Sequence, residues 1–239
     1  MTKYEYKGRS KVVAKIPDVS AKTANKKYII NNCSFLLLSS YPMLNIKKFG
    51  CPLSNHYYDN DIMDLQLDLI QSVCKNPKIM IVGGFDVKRI FKHTRRNEFQ
   101  VVENNLFEFT NSCEDLRIGL NSLGRSPTVV VDSTFIPSVE TYKLLLVEPT
   151  VSKIIYSRRE SDCIGVNITA EGLVNYFAYK CLDKAKGAYF LSQGDCDRVR
   201  KKCVGSSFNK SKFDYEILDE LKIVAVEDNS VSLRLDENF

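Results

Sequence analysis

The sequence has 239 residues, of which 44% are hydrophobic and 26% charged, and it contains eight cysteines but only two histidines. This composition is typical of one α/β domain, and no apolar run approaches the ~20 residues that span a bilayer, so no membrane association is expected. Two histidines and the absence of any Cys-x-x-Cys pair argue against a zinc site and against His-dependent triad chemistry. No secretory leader pattern is seen, and the scattered cysteines predict reduced thiols in a cytoplasmic protein.

The net charge of +5 belongs to the start of the chain. Residues 1–27 hold eight Lys and Arg against two acidic residues, whereas the rest of the chain holds 26 basic and 27 acidic side chains. We therefore predict a basic N-terminal arm, residues 1–32, followed by a folded domain, residues 33–239. Two interpretations of the arm remain open, a solvated tail or a contact for nucleic acid or another acidic partner.

The first half of the domain alternates apolar runs with segments of helical period. Residues 34–38 (SFLLL) predict a buried strand, and residues 41–58 predict a long loop because Pro and Gly interrupt them without any period. The elements expected next are a helix capped by Asn60 or Asp61, a strand over 78–82, a helix from Asp86, a strand over 99–102, a helix from about 112 to Gly124 with a Ser112–Asp115 capping box, a strand over 128–131 and a helix over 138–146.

The second half of the domain has strand-like runs without intervening helices, which predicts mixed or antiparallel pairing. Those runs are residues 153–156, 163–168, 173–179 and 187–191, and the chain closes with helices at 192–202 and 215–221 and strands at 223–226 and 231–235. The sequence thus predicts an α/β fold, a three-layer sandwich with a mostly parallel, partly mixed central sheet.

Several stretches carry a resemblance to a known family: IMIVGGFDVKRI (79–90), VVENNLFEFTNSCEDLRIGL (101–120), VVVDSTFIPSVETYKLLL (129–146) and LRLDENF (233–239). In order and spacing they resemble the nucleotidyltransferases of the GT-A type, especially choline-phosphate cytidylyltransferases and sugar-1-phosphate nucleotidyltransferases. The resemblance covers residues 33–239. It implies transfer of a nucleoside monophosphate from a nucleoside triphosphate to a small phosphorylated acceptor, a sugar phosphate or phosphocholine, with Mg²⁺.

The loop after the first strand departs from the family pattern. The family has a glycine-rich loop there, followed by a Pro-Lys pair, whereas this chain has Ser40 and Pro42 in the loop and Leu53 at the lysine position. Lys47 and Lys48 lie a few residues earlier and are the candidate catalytic residues, with a solvated charge pair as the alternative. A proline also removes a backbone N–H that could approach a phosphate.

The resemblance implies further site residues. Candidates for nucleotide binding are Ser39, Ser40, Gly83, Gly84 and Asn111, although a turn explains the glycines and a helix cap explains Asn111. Candidates for holding Mg²⁺ are Asp132 and Asp236, with a turn residue and a surface acid as the alternatives.

Other interpretations of the function remain open. Tyr176, Phe177 and Tyr179 are either core residues of a strand or the lining of an acceptor pocket, even a cation–π cage for choline. Because the catalytic motifs are degenerate, the chain is either an active nucleotidyltransferase or an inactive protein of that fold with a binding or structural role. A third alternative is a glycosyltransferase that uses a nucleotide sugar, with Asp132-Ser133-Thr134 as an altered D-x-D motif.

Overall fold

We describe the fold from a computed structural model that covers residues 30–41, 43–45, 48–54, 56–57, 60–92, 98–158, 164–204 and 209–235. Four features that the sequence analysis singled out lie outside these ranges: the basic arm up to residue 29, Pro42, Lys47 and Asp236. No helix in the described part of the chain is long and apolar enough to cross a bilayer.

The strands of the described residues are β1 (Ile30–Ser39), β2 (Met43–Asn45), β3 (Lys48–Gly50), β4 (His56–Tyr57), β5 (Asn60–Asp61), β6 (Cys74–Gly83), β7 (Phe99–Glu103), β8 (Thr128–Asp132), β9 (Phe135–Ile136), β10 (Lys153–Arg158), β11 (Ile164–Ile168), β12 (Val174–Tyr179), β13 (Asp183–Leu191), β14 (Val224–Glu227) and β15 (Leu233–Arg234). Nine of these form the main sheet in the order β12-β11-β13-β8-β1-β6-β7, with β10 pairing with both β13 and β14.

The main sheet is mixed, as the sequence predicted. The strands β8, β1, β6 and β7 are parallel to their neighbours in that group, whereas β13 is antiparallel to β8, β10 and β11. Parallel strands need a crossover between them, and the first half of the sequence supplies those helices. In the second half, short connections join β11, β12 and β13, and β11 pairs antiparallel with both of the others, whereas β14 follows two helices and is parallel to β10.

The helices lie on both faces of the sheet. They are α1 (Ile62–Val73), α2 (Val87–Lys92), α3 (Ser112–Leu123), α4 (Val139–Leu146), α5 (Gln193–Lys202) and α6 (Asp214–Leu218). One hydrophobic cluster contains buried residues of α1, α2 and α4, and the other contains buried residues of α3, α5 and α6. The predicted three-layer α/β sandwich is therefore confirmed.

Strand β1 contributes to both hydrophobic clusters because successive side chains of a strand point to opposite faces. Phe35 and Leu37 pack in the cluster with α1, and Leu36 and Leu38 pack in the cluster with α3. The continuous apolar run SFLLL is thus the pattern of a central strand that is buried on both faces.

Capping residues in the sequence predicted most of the helix ends correctly. The Asp61 side chain accepts a hydrogen bond from Met63 N at the start of α1, and Gly124 ends α3 with a φ of 74°. The predicted capping box of α3 is wrong, because the cap position is Asn111 and the Ser112 and Asp115 side chains bond to other elements. The predicted loop over residues 41–58 also differs, since its described part contains an antiparallel pair, β2 and β3.

Cysteines act as core filler in the described part of the chain, as predicted. The seven cysteines described there are free thiols, and all of them except Cys181 are buried. Burial raises the pKa of the Cys196 thiol to about 11, which keeps it protonated and unreactive at neutral pH.

We expect Leu36→Ala to lower the free energy of unfolding by about 2 to 5 kcal/mol. Leu36 is fully buried and lies so close to Gly119 of α3 that a Cβ at 119 would be 2.3 Å from Leu36 Cδ1. Urea unfolding measures the loss. Leu182→Ala makes the same change at a side chain that is 72% exposed and should cost less than about 0.5 kcal/mol. Equal losses in the two variants would contradict this packing.

Candidate active site

A pocket of about 430 Å³ lies at the carboxyl ends of the central parallel strands. Leu38, near the end of β1, and Asp132, at the end of β8, both line it. Open α/β sheets bind their ligands at this edge, because the strand ends and the loops that follow them converge there. The described pocket therefore has the position of an active site.

Asp132 is exposed at the end of β8 and begins a tight turn. Its Oδ1 accepts hydrogen bonds from the backbone N and the hydroxyl of Thr134, both at 2.9 Å. The Ser133 N donates to the Leu38 carbonyl at 3.0 Å, which fixes this turn against the end of β1. Both predicted roles of Asp132 are compatible with this geometry, since it is a turn residue and its carboxylate also lines the pocket.

Asp115 is a fully buried carboxylate of α3 that also lines the pocket. Its Oδ1 accepts hydrogen bonds from Ser40 Oγ at 2.7 Å and from Asn104 Nδ2 at 2.8 Å, whereas its buried Oδ2 has no partner among the described residues. Burial raises the pKa of Asp115 to about 7, although the hydrogen bonds from Ser40 and Asn104 oppose that rise. Asp115 thus connects α3 to the ends of β1 and β7 and is partly protonated at neutral pH.

Asp214, at the start of α6, is a second carboxylate of the pocket that is held in place by neighbours. Tyr189 of β13 donates to its Oδ2 at 2.8 Å, and Ser112 of α3 donates to its Oδ1 at 2.9 Å. Burial raises the pKa of Asp214 against these two hydrogen bonds, and the nearby charge of Asp132 raises it further. The pocket therefore brings several carboxyl groups close together.

Two cations, Lys186 of β13 and Arg234 of β15, lie among the described lining residues. The Lys186 ammonium is paired with the buried Asp228 at 2.9 Å. The carboxyl groups of Asp115, Asp132 and Asp214 line the same pocket as the two cations. The described lining residues therefore supply too little positive charge to balance a whole nucleoside triphosphate.

One wall of the pocket is aromatic. Phe177 of β12 lies 6.2 Å from Tyr215 between ring centroids, and Phe213 stacks on Tyr215 at 5.4 Å with an angle of 10°. Of the aromatic cluster predicted on β12, Phe177 lines the pocket, while Tyr176 and Tyr179 are exposed at 44% and 63%. Aromatic faces beside carboxylates form an environment that favours an organic cation.

The predicted nucleotide-binding residues of the strand ends make contacts within the protein. Ser39 and Ser40 are buried, and their hydroxyls pair with Cys51 Sγ at 3.4 Å and with Asp115. A Cβ at Gly84 would lie 2.6 Å from Phe107 Cβ and 2.8 Å from the Ser40 carbonyl, so internal packing already requires glycine there. Gly83 is likewise crowded, by Val87. Their binding roles stay predictions.

The other predicted site residues divide into those inside and outside the described ranges. Asn111 lines the pocket, and its Nδ2 donates to the Ser211 carbonyl. Lys48 lies in β3, a strand of which only the backbone is described, and Lys47 and Asp236 fall outside the described residues. Leu53, at the position of the family lysine, is fully buried, so this position contributes no charge to a ligand.

The resemblance implies a divalent ion, and the described residues do not supply a complete site for one. Within the described ranges, no group of three or more His, Cys, Asp and Glu side chains lies close enough together to hold a metal ion. The Oδ1 of Asp132 accepts a hydrogen bond from Thr134, and the two carboxylate oxygens of Asp214 accept hydrogen bonds from Tyr189 and Ser112. Because Mg²⁺ demands octahedral oxygen coordination, these carboxylates alone do not form a metal centre.

No family model matches the sequence, and no similar curated protein was found. The fold, in contrast, is shared with solved structures. The CTP:phosphocholine cytidylyltransferase of Streptococcus pneumoniae superposes with a TM-score of 0.66 over 85% of this chain and 93% of that chain, at 14% identity. The chain has a nucleotidyltransferase-like fold.

Two further structures support the same conclusion. A UDP-glucose pyrophosphorylase in complex with UDP-glucose gives a TM-score of 0.63 at 13% identity, over 85% of this chain and 92% of that one. The inositol-1-phosphate CTP transferase of T. maritima gives 0.65 at 12% identity, over 85% and 89%. At these identities the likeness concerns the nucleotidyltransferase-like fold, while the chemistry has to be argued from the site.

Sequence reasoning missed several residues of the pocket, chiefly Lys186, Asp214 and Tyr189. One signal was available for Lys186, a lysine within a strand, two residues before the buried run Ala188 to Leu191. No local signal marked Asp214, because its partners Ser112 and Tyr189 come from distant parts of the chain.

We expect Asp115→Asn to stabilise the protein at neutral pH. The pKa of Asp115 is raised from 3.8 to about 7, so the folded state retains a proton that the unfolded chain releases as the pH rises through that window. Asp115 is therefore not destabilising at pH 4 and costs stability by pH 7 to 8, at most on the order of 4 kcal/mol.

Urea unfolding from pH 4.5 to 8 measures this effect. The stability difference between Asp115→Asn and the unaltered protein should grow with pH, because asparagine does not titrate. Glu140→Gln, at a side chain that is 64% exposed, serves as a control, and its stability difference from the unaltered protein should not change with pH. If the stability difference for Asp115→Asn is also independent of pH, the raised pKa of Asp115 is contradicted.

Proposed function

We propose that this protein transfers a nucleoside monophosphate from a nucleoside triphosphate to a small phosphorylated acceptor that binds in the described pocket. The observation that carries the proposal is the position of the pocket at the carboxyl ends of β1 and β8, within a fold shared with nucleotidyltransferases. The neighbouring structures are named for acceptors such as phosphocholine and inositol 1-phosphate. A pocket of about 430 Å³ suits a molecule of that size.

In this reaction a phosphate oxygen of the acceptor attacks the α-phosphorus of the triphosphate, and the bond to pyrophosphate breaks. The protein must hold the two phosphates together and stabilise the charge that they share. Among the described lining residues, we assign the acceptor to the cations Lys186 and Arg234 and to the aromatic wall that contains Phe177. Lys47 and Lys48 remain the proposed contacts to the triphosphate.

We assign phosphocholine as the best acceptor for the aromatic wall. Its quaternary ammonium group would lie against Phe177 and Tyr215, where Asp214 and Asp132 add negative charge. A sugar phosphate would gain hydrogen bonds to these carboxylates but would make less use of the aromatic rings. The choice between the two acceptors is therefore testable at Phe177.

Binding without transfer is the second candidate function, and specific observations favour it. Leu53 is buried where the family places a lysine, and Ser40 is bonded to Asp115 where the family has a flexible glycine loop. A protein with these changes would keep an acceptor pocket without the groups that activate a triphosphate. The glycosyltransferase alternative gains no such support, since Asp132-Ser133-Thr134 contains a single carboxylate and Ser133 is buried.

An assay of pyrophosphate release distinguishes nucleotidyl transfer from binding without transfer. We expect release when the full chain is incubated with phosphocholine or glucose 1-phosphate and one of CTP, UTP, GTP, ATP or dTTP, with and without Mg²⁺ in parallel. Asp132→Asn should lower the rate by roughly 100-fold, because the Asp132 carboxylate is the proposed ligand for the Mg²⁺ that would offset the negative charge of the two phosphates. Asp197→Asn on α5, away from the pocket, should leave the rate unchanged.

The opposite outcomes are equally informative. If no combination releases pyrophosphate but a nucleotide or an acceptor raises the melting temperature, transfer is wrong and binding without transfer stands. A bound ligand at 100 times its dissociation constant should add about 2.7 kcal/mol of stability, which is easily detected as a shift of a few degrees. An absence of both release and any shift would contradict both candidates.

We expect Phe177→Leu to weaken phosphocholine binding by a factor of about 2 to 30, equivalent to about 0.5 to 2 kcal/mol for a lost cation–π contact. Tyr176→Leu is the matched control, because Tyr176 is the adjacent residue of β12, points to the opposite face and does not line the pocket. Isothermal titration calorimetry measures both affinities. Equal effects of the two substitutions would exclude the aromatic wall as the binding surface for choline.

A further inference from the structure

Lys186 is a largely buried cation in the wall of the pocket. It lies on β13, two residues before Ala188, which pairs with Val131 of β8, and this register places Lys186 beside the carboxyl end of β8. Only 13% of its side chain is exposed. A buried ammonium is costly unless a partner compensates its charge, so its surroundings decide whether it has a function.

Asp228 is that partner. Its Oδ2 accepts hydrogen bonds from Lys186 Nζ at 2.9 Å and from Thr141 Oγ1 at 2.7 Å, and its Oδ1 accepts one from Ser230 N at 2.9 Å. Burial by itself would raise the pKa of Asp228, but the hydrogen bonds from Ser230, Lys186 and Thr141 outweigh it and hold that pKa below its usual range. Asp228 is therefore ionised at neutral pH and fixes the position of the ammonium.

The hydrogen bonds of Lys186 leave part of the ammonium for a ligand. A lysine ammonium has three N–H donors. One goes to Asp228 and one to the Ser230 carbonyl at 3.2 Å. The residue also lines the pocket, and its third donor is bonded to no group among the described residues.

Arg234 brings a second positive charge to the same wall. It lies four residues after Ser230 and pairs with Phe135 in β9, directly after the turn that begins at Asp132. The acidic side chains that line the described pocket, Asp115, Asp132 and Asp214, do not attract an anion. An anionic group of a ligand is consequently directed toward Lys186 and Arg234.

We propose that Lys186 binds the phosphate group of the acceptor and that Asp228 positions it for that contact. This inference rests on the proposed function and adds to it the residues that hold the acceptor phosphate. A phosphate monoester offers several oxygens to a fixed N–H donor, and such a charge-assisted hydrogen bond is among the stronger ones in proteins. A purely structural ion pair between β13 and the 228–230 segment is the competing explanation.

The experiment compares matched ligands that differ only in the phosphate. Isothermal titration calorimetry of the full chain measures phosphocholine against choline and glucose 1-phosphate against glucose. Lys186→Met alone would leave Asp228 as an unpaired buried charge and could unfold the protein, so the test variant is Lys186→Met with Asp228→Asn. The control is Lys143→Met with Glu140→Gln, which removes an exposed ion pair from α4.

We expect the unaltered protein and the control to bind at least one phosphorylated ligand about tenfold or more tightly than its dephosphorylated form. In the Lys186–Asp228 variant the ratio should fall to about one, while the affinity for the dephosphorylated ligand is unchanged. Asp228→Asn alone should reduce the ratio part of the way, because it leaves the charge of Lys186 but removes its anchor. A lower melting temperature with an unchanged ratio would show that Asp228 has only a structural role.

The inference is overturned if the Lys186–Asp228 variant keeps the phosphate preference, or if the unaltered protein prefers neither phosphorylated ligand. These results are distinct from a failure of the proposed function. A protein that binds phosphorylated acceptors through Lys186 without releasing pyrophosphate would contradict transfer alone, and undiminished transfer by the variant would contradict the role of Lys186 alone.

Discussion

The parallel pairing of β1 with both β6 and β8 is the constraint on which the rest of the structure depends. A strand that is buried on both faces holds the two helical layers together, and its register fixes where the neighbouring strands end. Backbone hydrogen bonds continue this pairing past the strand ends, from Phe85 N to the Ser40 carbonyl and from Ser133 N to the Leu38 carbonyl. The loops that surround the pocket are therefore anchored by the sheet itself.

The polar groups at this edge of the sheet are divided between holding the loops and facing the pocket. Ser40 and Asn104 hold Asp115, and Ser112 and Tyr189 hold Asp214, so the hydroxyl and amide groups that could meet a phosphate are already bonded. The remaining groups that line the pocket are the rings of the aromatic wall, several carboxyl groups and the cations Lys186 and Arg234. This distribution suits an acceptor with a cationic and an anionic end better than a triphosphate.

The same fold at 12 to 14% identity shows how little of the sequence the architecture requires. The architecture depends chiefly on the pattern of apolar residues and on the signals at the ends of its elements, because these determine burial. In this chain the ends of the parallel strands define the position of the pocket, independently of the side chains that line it.

The sequence by itself determined most of the elements, the three layers and the mixed second half of the sheet, because strand alternation and end signals such as Asp61 and Gly124 are local. It missed the short pair of β2 and β3. Asp132, a candidate from the sequence, lies at the end of β8 and lines the pocket, and its proposed role stays a prediction. Only the tertiary structure decided that Asp115 leaves the expected capping box for Ser40, 75 residues away, and that Lys186 pairs with Asp228, 42 residues away. Buried polar groups take whichever partners the completed fold brings near them, and no local pattern encodes those partners.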